Sequence, residues 1–244
     1  MVRAELIAHA FAMQYLAREP FPLNLERVAQ AIETKLDIDI YLHYMELPMR
    51  QAANLVMGKR TALISINKKH PAHVQRMGVA HEFGHILLEH EIGNPDPWVS
   101  EHQWESDTAN YFAAALLMPS WVLSWLIRKY HDSLELLLRK TVEYCDIGLE
   151  SAARRLADAD ILPCLYALID PGAGKRIWEY HSRSVYLDHD AFRGFLVKNF
   201  ESPRHKWRET DLDIMGYPFR TEIKQLGPRY LITCHPFMAR QQAL

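Results

Sequence analysis

The run His81-Glu82-Phe83-Gly84-His85 places two imidazoles four residues apart, with a carboxylate beside the first. The surrounding segment, Val79 to Glu91, is apolar on most sides through Val79, Ala80, Phe83, Ile86, Leu87 and Leu88. It contains no proline, so it reads as a packed helix. On a helix, residues four apart stack on one face, and two imidazoles so placed can chelate one metal ion. Glu82 lies one step round, beside the coordination position the histidines leave open, where a carboxylate can hold and deprotonate water. Zinc suits this nitrogen-rich set and lowers the pKa of its water to about 7, which makes hydroxide available at neutral pH. Gly84 leaves room for a close neighbour.

A catalytic zinc is usually held by three protein groups with one position open, so a third ligand is required. The next helix is expected to begin at Ser100, which forms a capping box with Gln103, and to run to Leu117 before Pro119 stops it. It carries two candidate carboxylates. Glu105 shares a helical stripe with Ala109, Phe112 and Leu116, where a lone carboxylate is costly unless paired or bound to metal. Asp107 lies well over a quarter-turn away, beside Asn110, Tyr111 and Ala114, on a face expected to be partly solvated. Periodicity therefore favours Glu105, with Asp107 as the alternative. The expected site has His81, His85 and Glu105 on the metal and Glu82 as the catalytic carboxylate.

HEFGHILLEH followed by ANYFAAALLMP resembles the ImmA/IrrE group of zinc metallopeptidases. Members of that group typically carry a HE-x-x-H helix, then a Glu, an Ala-Asn or Ala-Asp pair, Phe-Ala and Leu-Leu-Met-Pro. Upstream, Ile64-Ser65-Ile66-Asn67 looks like the family's strand ending in Asn before the metal helix. The resemblance covers about the first half of the chain. It departs at one place: the Glu that such sequences commonly carry three residues before the Ala is replaced by Ser106, and Glu105 sits four before. The resemblance implies a zincin-like endopeptidase whose substrate is a partner helix-turn-helix transcriptional repressor, often encoded beside it. It also implies a helix-turn-helix-like region after the peptidase core.

The elements that must position these groups are legible in outline. Leu6, Ala10, Met13 and Ala17 form a helical stripe in the first segment, and Asn24 can cap a second helix from Leu25 to about Lys35. Asp37 to Tyr44 alternates as a half-buried strand, and Ala52 to Met57 and Thr61 to Ile66 form a hairpin through Gly58 and Lys59. A sheet beside the metal helix could offer an extended substrate a strand edge, or could simply cover the helix. His90 lies about 140° round the helix from the ligand face, at the surface or behind the ligands; His70 and His73 are expected in solvent rather than against substrate, and the acidic loop Glu91 to Pro97 could border the cleft.

Beyond Pro119 the pattern is helical: Trp121 to Tyr130, Leu134 to Cys145 and Leu149 to Ala157, the last two joined by Asp146-Ile147-Gly148, a turn of helix-turn-helix length. Arg154 and Arg155 could touch phosphate in a DNA reader. Charge argues against it, because Leu134 to Asp160 holds four basic residues against six acidic ones. The tail reads as strands at Leu165 to Ile169, Lys175 to Tyr180, Ser184 to Leu187 and Tyr230 to Thr233. A helix is expected from Asp190 to Phe200 and a charged loop from Glu201 to Asp211. Gly172-Ala173-Gly174-Lys175 lacks the full spacing of a phosphate loop and reads as a turn.

A chain of 244 residues, 49% hydrophobic, supports one sizeable core and a smaller unit, and its net charge of -2 gives no general attraction to nucleic acid or anionic membrane. With no apolar run of membrane-spanning length and no leader, a soluble cytoplasmic protein is expected. The widely spaced Cys145, Cys164 and Cys234 read as buried free thiols. The expected fold is α+β: a mostly helical zincin-like core with a small sheet at 1–130, a helix-turn-helix-like segment at 131–163, and a small α/β domain at 164–244. The expected function is zinc-dependent peptide hydrolysis. The runners-up are a metal-organised module that holds a repressor without cutting it, kept in view by Ser106, and a DNA-contacting regulator.

Overall fold

The computed structural model describes residues 2–92, 101–170, 175–183, 210–214 and 217–236, with the side chains of 89–92, 101–106, 175–177, 210–220 and 235–236 excepted. The fold mixes α and β. It divides into two compact units: Met1–Val122 with Thr141–Gly148, and Leu123–Lys140 with Leu149–Leu244.

In the first unit, α1 (Val2–Tyr15) and α2 (Leu25–Leu36) precede β1 (Asp39–Met45), β2 (Ala53–Met57) and β3 (Thr61–Asn67). α2 starts where the Asn24 side chain accepts from the backbone N–H of Glu26 at 2.7 Å and of Arg27 at 3.2 Å. It stops at Asp37, which takes the left-handed conformation at φ 55°. The sheet order is β1-β3-β2, with β1 parallel and β2 antiparallel to β3. The tight β2–β3 connection is closed by Gly58 N donating to Thr61 O at 2.7 Å. It follows the hairpin expected from Gly58 and Lys59.

Asn67 at the end of β3 is fully buried and organises the loop between β1 and β2. Its Nδ2 lies 2.9–3.2 Å from the carbonyl oxygens of Leu47, Pro48 and Gln51, and its Oδ1 accepts from Lys69 N at 3.2 Å. A polar side chain is tolerated at zero exposure because its capacity is used.

The next helix, α3 (Ala72–Ile92), is longer than the run read from sequence. Val79, Ala80, Phe83, Ile86, Leu87 and Leu88 are buried, so the helix is enclosed on several sides. Two glycines permit this. A Cβ on Gly78 would stand 2.8 Å from Ala52 Cβ beside β2, and one on Gly84 would stand 3.1 Å from Ala109 Cα on α4 (Glu101–Leu117).

α1 packs against α4 through Ala4, Ala8, Phe11, Ala12 and Leu16. This corrects the sequence reading, because Leu6 is 62% and Met13 50% exposed, and Ala10 and Ala17 are exposed with them. Small side chains let the helix approach closely, and that close contact outweighs the larger apolar residues on the opposite face.

The chain continues through α5 (Ser120–Tyr130), α6 (Leu134–Cys145) and α7 (Leu149–Ala159). Asp146 turns the chain after α6 at φ 52°. The second unit carries an antiparallel five-stranded sheet, order β5-β4-β8-β7-β6, from β4 (Leu165–Asp170), β5 (Lys175–His181), β6 (Thr210–Ile214), β7 (Tyr217–Leu226) and β8 (Arg229–Pro236). β4 runs inside the sheet and is buried along nearly its whole length. α7 packs on β4 and β5, with Tyr180 Oη donating to Glu150 Oε1 at 2.9 Å.

β6 and β7 correct the expectation of a loop reaching Asp211. Both strands alternate, through Leu212 and Ile214 in β6 and Tyr217, Phe219 and Ile223 in β7, a signal that the charged run before them obscures, and β6 pairs with β7 and β7 with β8. Glu222 on β7 accepts from Ser133 Oγ and Glu135 N, each at 3.0 Å, and so caps the start of α6. The expected strand at Ser184 to Leu187 and helix from Asp190 lie outside the described residues.

Cys145, Cys164 and Cys234 are free and buried, and burial pushes each thiol up to about 12. Among the described residues no single helix is long and apolar enough to cross a membrane.

Candidate metal centre

The centre lies on α3 and is backed by α4. His81 and His85 stand one helical turn apart, and their Nε2 atoms approach to 3.0 Å. Two nitrogens each about 2.0–2.1 Å from a tetrahedral zinc would stand about 3.3 Å apart, so the observed spacing lies within a few tenths of an ångström of what chelation needs. Burial lowers the pKa of both imidazoles, and for His81 the neighbouring His85 lowers it further. Both rings are thereby held toward the neutral, lone-pair form that binds metal.

Glu82, between them in sequence, is only 9% exposed, and burial alone pushes its carboxyl up to about 7. A carboxyl poised there exchanges its proton readily near neutral pH. The donor set therefore fits a zinc ion as far as the described side chains reach.

Of the expected third ligands, Glu105 lies on α4 one helical turn before Ala109, the residue against Gly84, and its side chain falls outside the described residues. Asp107 is exposed. Among the described residues no third His, Cys, Asp or Glu joins His81 and His85. His90 and the loop Glu91 to Pro97 also fall outside the described side chains. His70 and His73, expected at the surface, are half-buried, and the buried Nε2 of His70 has no hydrogen-bond partner among the described residues.

One residue of the centre escaped the sequence reading. Asn110 shares with Asp107 a face expected to be partly solvated, yet its Oδ1 lies 2.9 Å from His81 Nδ1. α4 approaches so closely at Gly84 that Asn110, the residue after Ala109, reaches the metal helix. An asparagine within an otherwise apolar helical run was the available signal.

Arg155 is 4% exposed, and Arg154 pairs with Asp158 one turn on, at 3.6 Å.

Residues 36–157, half of the chain, match the peptidase family described as the IrrE N-terminal-like domain. No curated protein matches the sequence. Among solved structures, one titled "Mycobacterium tuberculosis transcriptional regulator" superimposes with a TM-score of 0.64 at 14% identity, covering 97% of this chain and 76% of that one. At that identity the likeness is one of fold.

Proposed function

The chain belongs to the IrrE N-terminal-like domain family of peptidases, and on that premise we propose that it is a zinc-dependent endopeptidase of zincin type whose substrate is a partner transcriptional repressor. The observation that carries the reading is the pair of Nε2 atoms 3.0 Å apart with the buried Glu82 carboxyl between the two residues in sequence. His81, His85 and Glu105 would hold the zinc. When bound, zinc supplies Lewis acidity toward a peptide carbonyl and lowers the pKa of water to about 7. Glu82 accepts the proton of the attacking water and returns it to the departing amine. Its neutral form near pH 7 suits the second half of that transfer, and its ionised form the first.

The helix-turn-helix-like α6 and α7 are assigned to packing and partner docking. The burial of Arg155 and the pairing of Arg154 favour that role over phosphate contact. The structural likeness to a protein titled a transcriptional regulator supports a regulatory setting.

The test is metal content followed by turnover. The purified chain should hold about one zinc per molecule, the Glu105→Ala variant should lose it, and the metal-loaded parent should cut its cognate repressor. A loaded chain that binds the repressor and leaves it intact would overturn the peptidase reading.

A second reading has one observation behind it. Ser106 stands one helical turn before Asn110, the α4 residue that meets His81, where the family resemblance expects a Glu. On this reading the centre organises a surface that holds the repressor without cutting it. Stoichiometric metal without turnover would select it.

A further inference from the structure

We propose that Asn110 is a positioning residue that fixes the proton of His81 on Nδ1 and so leaves Nε2 as the lone-pair nitrogen facing His85. The inference rests on the metal-centre reading above and adds a residue to it. The contact is made by the amide oxygen Oδ1, 2.9 Å from the ring nitrogen. An amide oxygen can only accept, so the imidazole nitrogen must donate. A neutral imidazole carries one ring proton, and placing it on Nδ1 bares Nε2.

The geometry makes that choice useful. Nε2 of His81 is the atom that meets Nε2 of His85 at 3.0 Å, so chelation through this pair needs the proton on the far nitrogen. Without an acceptor behind it, the ring could carry its proton on either nitrogen, and the fraction with a blocked Nε2 would subtract from metal affinity. Rigid backing makes the acceptor effective: α4 contacts α3 at Gly84, where Ala109 Cα and O and Phe112 Cδ1 lie 3.1–3.2 Å from the position of an added Cβ. Asn110, the next residue on the helix, is thereby held at a set distance from the ring.

The choice of an amide also has a consequence. It selects the tautomer without adding a negative charge behind the histidine. A carboxylate at the same place would select the same tautomer and make the ring more basic.

The full chain and its Asn110→Leu and Asn110→Asp variants, labelled with nitrogen-15, separate this role from a structural one. Long-range imidazole NMR spectra of the metal-free proteins report which ring nitrogen of His81 carries the proton, with His85 as the internal control. Competition against a chromophoric chelator reports zinc affinity. The expected result is Nδ1–H in the parent and in Asn110→Asp, and a tautomer mixture in Asn110→Leu with zinc bound about 10- to 100-fold more weakly. Affinity in Asn110→Asp should equal or exceed the parent's.

A parent whose His81 carries its proton on Nε2 would overturn the proposal. So would an Asn110→Leu variant with an unchanged tautomer and unchanged zinc affinity. A parent that binds no zinc would defeat the peptidase reading, while the tautomer spectra would still decide what Asn110 does.

Discussion

Burial raises the pKa of two helical carboxylates, Glu82 on α3 and Asp158 on α7. Their surroundings differ. Asp158 faces Arg154, Arg155 and Arg183, each of which works against the rise, and Arg154 lies 3.6 Å away. Glu82 has burial as its sole cause, with two neutral-leaning imidazoles for neighbours in sequence. A fold that needed only to bury a helix face would supply Glu82 with a cation, as α7 does for Asp158, or would use an apolar residue. A carboxyl without a cation, beside two histidines whose burial favours the neutral form, suits proton-transfer chemistry.

The sharpest way to break that contrast is to neutralise each carboxylate in turn. Glu82→Gln should keep metal and lower cleavage of the cognate repressor by about 10²–10⁴-fold, the range expected for losing a general acid–base. Asp158→Asn should leave cleavage within about twofold of the parent, because a half-exposed ion pair contributes little. Equal turnover in Glu82→Gln and the parent, followed by gel or mass spectrometry, would refute the general-base role. His85→Ala should lose metal and turnover together, which separates a ligand from a base.

The same contrast predicts a pH dependence. Between an ordinary value of 4.5 and the folded value of about 7, Glu82 is protonated in the native chain and ionised in the unfolded one. At this group the native state then binds more protons, so the contribution of Glu82 to stability falls as pH rises through that window and levels off above about 7, while His81 and His85, with lowered pKa values, contribute in the opposite sense. The loss should be on the order of 1–3 kcal/mol in metal-free protein, measured by urea unfolding at a series of pH values. Subtracting the Glu82→Gln profile from the parent's should isolate this loss over the same interval. A difference between the parent and Glu82→Gln profiles that does not change from pH 4.5 to 7 would show that the carboxyl is not held neutral.

Gly84→Ala tests the approach of the two helices that builds the centre. Its new Cβ would meet backbone atoms of Ala109 at 3.1–3.2 Å, and backbone cannot move aside as a flexible side chain can. A destabilisation of about 1–3 kcal/mol is expected, with weakened metal binding as Asn110 is pushed from His81. The smallest effect belongs to the other side of the comparison. Arg154→Ala removes a half-exposed pair one helical turn long, and its thermal or denaturant stability should change by less than about 0.5 kcal/mol. Its turnover should stay at the parent level.

What could be read in the chain itself is what depends on neighbours a few residues away. The four-residue spacing of His81 and His85 puts two nitrogens together on any α-helix. Asn24 caps α2 because its side chain reaches N–H groups two and three residues on, and α6 runs from Leu134 to Cys145 as its periodicity implies. The β2–β3 connection follows from turn residues between two β-forming runs.

The tertiary structure decided the rest. Periodicity could not tell which face of α1 would be buried, because both faces are apolar and the approach of α4 selects the small alanines. β6 and β7 alternate in sequence, but which strands they pair with, β6 with β7 and β7 with β8, is set by the sheet. Asn110 meets His81 across 29 residues of sequence, and Glu82 becomes a carboxyl near neutrality only once the chain around it excludes water. Contacts and desolvation of this kind are properties of the packed chain: they arise where a glycine on one helix admits the backbone of another, and a local pattern marks the glycine without naming the backbone that meets it.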